Sequence, residues 1–436
     1  DYLGFQPRFG FAYSPYADGR TAIRGGFAVV RPIGNDNIES AISGGQYSAG
    51  FSGLAQYNRG GDGVLTSGYQ WDTPYPAANV AFNSISPGLL VGNDNPAMIH
   101  PSSGEPPFQM YWTTQVQQQF TRSMIMTLGY VGMHTYHLGL WSKPNQINAA
   151  VAQQKYGSIA AADGLTMPQF LTMSIDDPRA AAAGILTPWA GFQSLFGSGA
   201  TVGQALRPWP QYGDVDNPLN PIGSESYNAL QTSLQKRFSQ GLTFLLSYTF
   251  SKTIGDVDSA SGPSAGAENA IYAGSYFQDS YNSKAERSVT SSDIPHSVAL
   301  SYTYELPIGK GKPFLNRGGI SNEVFGGWSV SGIQRYMSGR PIHIEYDAVG
   351  AANPYFAAGD GYSFRPNIVP GQPFKNPGYR KSCSGPLGTG PCAYYINPGA
   401  FTSPAVGTFG NAPNLISALR MPSYLNEDLS VSKRTK

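Results

Sequence analysis

The stretch YNALQTSLQKRFSQGLTFLLSYTFSK, residues 227–252, alternates between apolar and polar side chains on both sides of a short break at residues 239–241. A period of two residues predicts β-strands with one apolar and one polar face. The break is short and contains glycine, which together predict a hairpin turn. The even positions carry the apolar set, which is Leu230, Leu234, Phe238, Leu242, Phe244, Leu246, Tyr248 and Phe250.

The same alternation recurs along the chain and predicts about nine strands in all. The odd positions of the opening hairpin and the matching phase elsewhere hold mainly Gln, Ser and Thr. Besides the two strands of the hairpin, the predicted strands lie near residues 9–13, 21–30, 110–120, 124–130, 297–306, 328–337 and 425–432. Half-buried antiparallel sheets of many proteins share this pattern, so the strands alone do not identify a fold.

The composition is unusual for a soluble protein of this length. Only 13% of the 436 residues are Asp, Glu, Lys or Arg, about half of the roughly 25% typical of soluble domains. Gly (53), Pro (34) and Tyr (27) are abundant, and tyrosine suits a surface that meets lipid and water. The net charge of +1 gives no indication of a nucleic-acid partner.

The lengths of the connections carry the strongest argument about the fold. Short connections at 14–20, 121–123 and 239–241, with a longer one at 307–327, alternate with stretches at 31–109, 137–226, 251–295 and 341–424. Long loops are uncommon in compact soluble domains. Strict alternation of short and long connections is typical of an antiparallel up-and-down transmembrane β-barrel with short periplasmic turns and long extracellular loops. We therefore expect an all-β protein in the bacterial outer membrane, with its apolar phase against lipid.

In such a barrel the polar phase of each strand faces the water-filled lumen. This phase contains small or amide-bearing side chains and a few arginines. The residues predicted to face the lumen are Gln115, Gln117, Gln231, Gln235, Arg237, Ser247, Ser301 and Arg335.

Five blocks of sequence also resemble the barrel of TonB-dependent outer-membrane receptors. They are PRFGFAYSPYADGRTAIRGGFAV, YNALQTSLQKRFSQGLTFLLSYTFSKTIGD, HSVALSYTYELPIGKGKPF, FGGWSVSGIQRYMSGRPI and GTFGNAPNLISALRMPSYLNEDLSVSK, and they span Pro7 to Lys433 in order. The blocks look most like the subgroup that carries a carboxypeptidase-regulatory-like domain ahead of its plug. This resemblance implies a barrel of about 22 strands, a plug domain inside it, and a periplasmic energy-transducing protein as partner.

The chain departs from that pattern at both ends. The N-terminal domain, the coupling segment, the plug and the early strands of the family are absent, and further strands would be expected after Lys436. We therefore expect residues 1–436 to be a fragment that forms an incomplete barrel, because an open sheet edge in lipid leaves backbone groups without partners.

No motif for catalysis is present. The chain lacks a G-x-S-x-G nucleophile elbow, a P-loop and a Rossmann glycine pattern, and its five histidines are scattered. We expect a protein that is not an enzyme and that needs neither a cofactor nor a metal.

Cys383 and Cys392 are the only cysteines, and they enclose a short segment rich in Gly and Pro. On an outward-facing loop they would lie in an oxidising compartment, which favours a disulfide over free thiols. We expect a thiol-reactive probe to label the folded protein only after reduction. Labelling without reductant would rule out the disulfide.

Ligand contacts are expected from aromatic side chains on the long loops, because tyrosine offers rigid contact area and a polar group. The alternative is that these rings pack loop against loop. The candidates are Tyr57, Trp71, Tyr75, Tyr272, Tyr276, Tyr355 and Tyr362, with Phe277 beside them.

Two classes of function remain open for a membrane barrel. The first is energy-coupled uptake of a ligand that is too large or scarce for porins, such as an oligosaccharide, a peptide or a metal chelate. The second is a passive porin-like channel or a surface adhesion scaffold. A secreted, soluble multi-sheet binding protein is a third reading, but it needs another layer to bury the apolar phase, and the sequence offers no evident helices for that purpose.

Overall fold

A computed structural model describes residues 4–31, 107–213, 215, 217–257, 277–345, 355, 364–380 and 393–434. Strands dominate these residues. They are β1 (Arg8–Tyr13), β2 (Thr21–Val30), β3 (Phe108–Thr121), β4 (Met124–Ser142), β5 (Asn217–Ser239), β6 (Leu242–Gly255), β7 (Ser288–Val289), β8 (His296–Glu305), β9 (Trp328–Met337), β10 (Pro341–His343), β11 (Asn367–Ile368), β12 (Phe401–Thr402), β13 (Leu415–Arg420) and β14 (Tyr424–Lys433).

One large sheet contains all nine strands that the sequence predicts. Its order is β1-β2-β3-β4-β5-β6-β8-β9-β14, every neighbouring pair is antiparallel, and the short strand β7 is added beside the end of β6. Within the described residues β1 and β14 each pair on one side only, so the sheet is not closed. The all-β, antiparallel prediction and the incomplete barrel are therefore confirmed.

The opening stretch forms the hairpin β5–β6 around a tight turn. Ser239 pairs with Leu242 across Gln240 and Gly241, whose φ angles are +54° and +80°. Two successive residues with positive φ match the type I′ turn, whose twist suits a two-residue hairpin. Glycine adopts such angles without steric cost.

The register keeps the two phases on opposite faces across the sheet. Leu246 pairs with Leu234 on β5 and with Leu300 on β8, whereas Ser247 pairs with Ser233 and Ala299. Directly paired residues share a face, and adjacent residues of a strand point to opposite faces. We call the face of Leu246 the apolar-phase face and the face of Ser247 the polar-phase face.

The region 137–226, expected to be a long loop, is more structured than the sequence suggested. Strand β4 continues to Ser142 and pairs there with Asn217, the first residue of β5. Between them lie five short helices: α1 (Ala149–Ala162), α2 (Met167–Thr172), α3 (Pro178–Ala182), α4 (Phe192–Phe196) and α5 (Val202–Ala205). We call residues 143–213 the helical insertion.

The helical insertion has its own hydrophobic core. Phe170, Leu171, Phe192 and Val202 are fully buried there. The core joins helices α1 to α5 independently of the barrel sheet, so the region predicted to be a long loop contains packed helices.

The connection 338–423 between β9 and β14 also contains regular structure. Strand β10 pairs with β13, and β11 pairs with β12. Ile342, Ile416 and Leu419 are buried in a small core between them. Three segments form what we call the cap: the described parts of this connection, the helical insertion and residues 277–295. The cap lies at the end of the sheet opposite the short turns.

The short-turn end carries the helix α6 (Ile320–Phe325), in the connection between β8 and β9. No helix in the described part of the chain is both long and apolar enough to cross a membrane.

Candidate functional site

A buried amide network joins the segments of the cap. Gln278 is 4% exposed, and Gln146 is fully buried. Gln146 Nε2 donates to the carbonyl oxygen of Gln278 at 3.1 Å, and Gln278 Nε2 donates to the carbonyl oxygen of Gly410 at 2.9 Å. The backbone N–H of Arg365 donates to Gln278 Oε1 at 3.0 Å. One glutamine therefore connects three segments that are far apart in sequence.

An ion pair lies in the same network. Arg365 Nη2 is 2.8 Å from Glu286 Oε1, and their side chains are 2% and 3% exposed. The backbone N–H of Gln278 donates to the same carboxylate oxygen at 3.0 Å. Burial raises the pKa of Glu286, and the nearby Arg365 guanidinium acts in the opposite direction. A buried charge is tolerated only with a partner and hydrogen bonds, so this pair depends on both segments being in place.

A second ion pair ties the cap to the barrel sheet. Arg420 Nη2 on β13 is 2.5 Å from Asp293 Oδ2, and Asp293 is fully buried. The backbone N–H of Thr253 on β6 donates to Asp293 Oδ1 at 2.7 Å. The cap is thus fixed to the end of a barrel strand.

His343 on β10 is a half-buried titratable group of the cap. Its Nδ1 lies 2.6 Å from the carbonyl oxygen of Asn414, and burial lowers its pKa below 6.5. Because the folded state binds the proton more weakly than the unfolded state, the stability from His343 is present above pH 6.5 and is lost as the pH falls through its folded pKa. We expect the hydrogen-exchange protection factors of β10 and β13, which are corrected for the intrinsic exchange rate at each pH, to fall at acidic pH. The variant His343→Gln should reduce that fall in protection, and the same pH dependence in the variant would contradict this assignment.

The structure corrects one predicted ligand contact. Tyr355 was expected to be partly exposed on a loop, but it is 3% exposed and packs in the core of the helical insertion. The backbone N–H of Ile147 donates to its carbonyl oxygen at 3.1 Å. Phe277 is similarly buried, against Val257 and Leu138. Tyr355 thus packs loop against loop, whereas Phe277 packs against Leu138 of strand β4 and against Val257.

The other loop residues singled out from the sequence lie outside the described residues. They are Tyr57, Trp71, Tyr75, Tyr272, Tyr276, Tyr362, Cys383 and Cys392.

Seven of the eight predicted lumen residues lie on the polar-phase face. Residues that pair with the same partner lie in one row across the strands, on the same face of the sheet. Gln115 and Gln231 both pair with Gly129, and Gln117 and Ser233 both pair with Thr127. Ser301 and Gln235 both pair with Leu245. Ser247 and Arg335 share a row through Ala299. Arg237 follows the register shift after Lys236, and pairing does not fix its side. That this face lines the lumen stays a prediction.

A cavity of about 450 Å³ lies against the polar-phase face near the short turns. Apolar surface makes up most of its wall, from residues that include Leu245, Ile333 and Leu429, and Asp428 contributes one carboxylate. The serine and threonine side chains of the wall are Thr243, Ser301, Thr303, Ser331 and Ser430. These polar groups offer hydrogen bonds and little charge. No group of three metal-binding side chains occurs in the described part of the chain.

Sequence reasoning missed the polar residues of the cap. Gln146, Gln278, Glu286 and Arg365 have no distinctive local spacing, so no motif could have identified them. The helices did leave a signal: Thr166 and Gln169 form a capping box, and Asp177 precedes Pro178 at the start of α3.

A search of curated protein sequences found no match. The solved structures similar to this chain include the outer membrane transporter YddB from Escherichia coli, at 9% identity and a TM-score of 0.37, with 81% of this chain and 31% of that chain covered. Another is the FpvAI–pyocin S2 complex, at 6% identity and a TM-score of 0.30, with 78% of this chain and 24% of that chain covered. The chain thus spans less than a third of the length of each of these proteins.

The family to which the chain belongs is shown by a match to a family model. The model of the outer membrane beta barrel domain family matches residues 1–436, and the open antiparallel sheet is what part of such a barrel looks like. The chain therefore belongs to the outer membrane beta barrel domain family and is a protein of the bacterial outer membrane.

Proposed function

We propose that the chain is part of the barrel of a TonB-dependent receptor, of the subgroup with a carboxypeptidase-regulatory-like domain, that takes up a large or scarce ligand by energy-coupled transport. The observation that carries this proposal is the folded cap at the long-loop end, held by the buried pairs Glu286–Arg365 and Asp293–Arg420. The five blocks of sequence that resemble the barrel of TonB-dependent receptors support the proposal independently. Oligosaccharides, peptides and metal chelates are the ligand classes that we consider.

The cap offers a pre-organised surface for such a ligand. Its segments are fixed to each other by buried polar contacts, so binding does not require them to be ordered first, which lowers the entropic cost of association. Leu186, Tyr281 and Tyr394 are exposed on it and provide apolar and aromatic contact area. A passive channel has no need for this surface.

The polar-phase face suits contact with a plug domain. The Ser and Thr side chains of the cavity wall, together with Gln235 and Asp428, can form hydrogen bonds, which a domain that must move during transport can exchange for water. In this proposal the energy-transducing protein acts on that plug from the periplasm.

Conductance separates active uptake from a passive channel. The protein from the complete gene, inserted into a planar bilayer in potassium chloride, is expected to show no steady open channel because a plug fills the lumen. A large, steady conductance would favour the passive channel.

Cross-linking separates a receptor from an adhesion scaffold. We expect the full-length protein to cross-link in cells to the periplasmic energy-transducing protein. A silent barrel that forms no such cross-link would favour the scaffold. Reading the coding DNA upstream of Asp1 for a plug and a coupling segment tests the same point independently.

A further inference from the structure

The connection between β8 and β9 exposes an unusual amount of apolar surface at the short-turn end. Ile320 is 81% exposed, Phe314 62% and Phe325 54%, and Leu315 and Val324 are about half exposed. Ile320, Val324 and Phe325 belong to α6, and the other two precede it. We call these five side chains the foot.

Contacts of α6 place the foot beside the apolar-phase face of the sheet. The indole Nε1 of Trp328 donates to the carbonyl oxygen of Val324 at 3.0 Å. Lys433 Nζ donates to the carbonyl oxygens of Glu323 and Val324. The end of α6 is therefore held by two side chains from the adjoining strands β9 and β14.

The register shows on which face those two side chains lie. Trp328 pairs directly with Lys433, and Lys433 Nζ is 5.4 Å from the centre of the Trp328 ring. The next pair, Ser329 and Ser432, is hydrogen-bonded at 2.8 Å on the other face. Trp328 and Lys433 thus share the apolar-phase face with the pairs Val330–Val431 and Gly332–Leu429. The foot continues the apolar surface of the barrel at its periplasmic margin.

The charges around the foot suit a phospholipid surface. Lys310, Arg317 and Lys433 flank it, Lys312 is paired with Glu305 at 3.0 Å, and Glu323 is the one acid within α6. Apolar side chains bordered by cations and an interfacial tryptophan are typical of segments that lie in the plane of a membrane interface.

We propose that the foot inserts into the headgroup region of the periplasmic leaflet of the outer membrane and anchors the β8–β9 margin of the barrel there. Its occupant is phospholipid, because the foot is continuous with the apolar-phase face and carries flanking cations. This inference depends on membership of the outer-membrane barrel family and not on the proposed transport function.

Photo-cross-linking in cells tests the foot directly. A benzophenone amino acid is introduced at Ile320 or Val324 of the full-length protein in the outer membrane, and the adducts are identified by mass. The matched control is the same probe at Ser432, which lies beside Lys433 but on the polar-phase face. The control matters because the benzophenone is itself apolar.

We expect phospholipid adducts at Ile320 and Val324 in several-fold excess over Ser432. Adducts that are mainly to a periplasmic protein would show that the foot is a protein-docking surface and would overturn the proposal. A lipid yield at both foot positions no higher than at Ser432 would overturn it as well. Loss of energy-coupled transport leaves this readout unchanged, so the two proposals fail separately.

Discussion

Replacing Leu246 with arginine is expected to lower the free energy of unfolding by about 2–4 kcal/mol, the cost of an arginine on the lipid face at mid-membrane depth. Leu246 lies in a row with Leu234 and Leu300, and these neighbours provide no partner for a charge. The measurement is denaturant unfolding of the full-length protein in phospholipid vesicles.

Ser247→Arg is the matched control, one residue away and on the opposite face. Ser247 pairs with Ser233 and Ala299 in the row that also holds Arg335. We expect a much smaller loss of stability, because an arginine facing a wet lumen keeps its hydration. Equal losses for the two variants would show that the assignment of the faces to lipid and lumen is wrong.

Removal of the Glu286 carboxylate by Glu286→Ala is expected to cost the cap about 3–5 kcal/mol, because it leaves the Arg365 guanidinium buried without its partner. Two further guanidinium nitrogens of Arg365, Nε and Nη1, are already buried with no hydrogen-bond partner among the described residues. The remaining contacts of Arg365 therefore compensate little for the loss of the Glu286 carboxylate. Hydrogen exchange of segments 277–290 and 364–368 measures the local loss, with the barrel strands as an internal reference.

Two variants make this test specific. Glu286→Met combined with Arg365→Met removes both charges and should recover much of the protection, since apolar replacement of a whole buried pair is often neutral. Glu305→Gln breaks the exposed pair with Lys312, which should cost no more than about 1 kcal/mol. If Glu286→Ala had no larger effect than Glu305→Gln, the buried pair would not hold the cap together.

The barrel sheet was predictable from the sequence because its determinants are local. Alternation with a period of two specifies each strand and its faces, and tight turns such as Gln240–Gly241 specify which strands are neighbours. Apart from the short strand β7, the neighbouring strands from β1 to β9 are consecutive along the chain, so an up-and-down order predicts their pairing.

The cap was not predictable in the same way because its contacts are non-local. Helix α1 is rich in alanine and buries only Ala152, Tyr156 and Ala160, which gives a weak periodic signal. The contacts of Gln146 with Gln278, and of Glu286 with Arg365, join residues that are 132 and 79 positions apart. Local spacing contains no information about such pairs.

The way in which the helical insertion is attached has a consequence for the evolution of this protein. Its two ends leave the sheet at Ser142 and Asn217, which are paired residues on neighbouring strands, and its core is made largely by its own helices. A segment with adjacent ends can be lengthened, shortened or exchanged at one point without changing the register of the strands below it. The outer surface of the protein can therefore diversify by recombination of a whole module, while the membrane-spanning sheet stays the same.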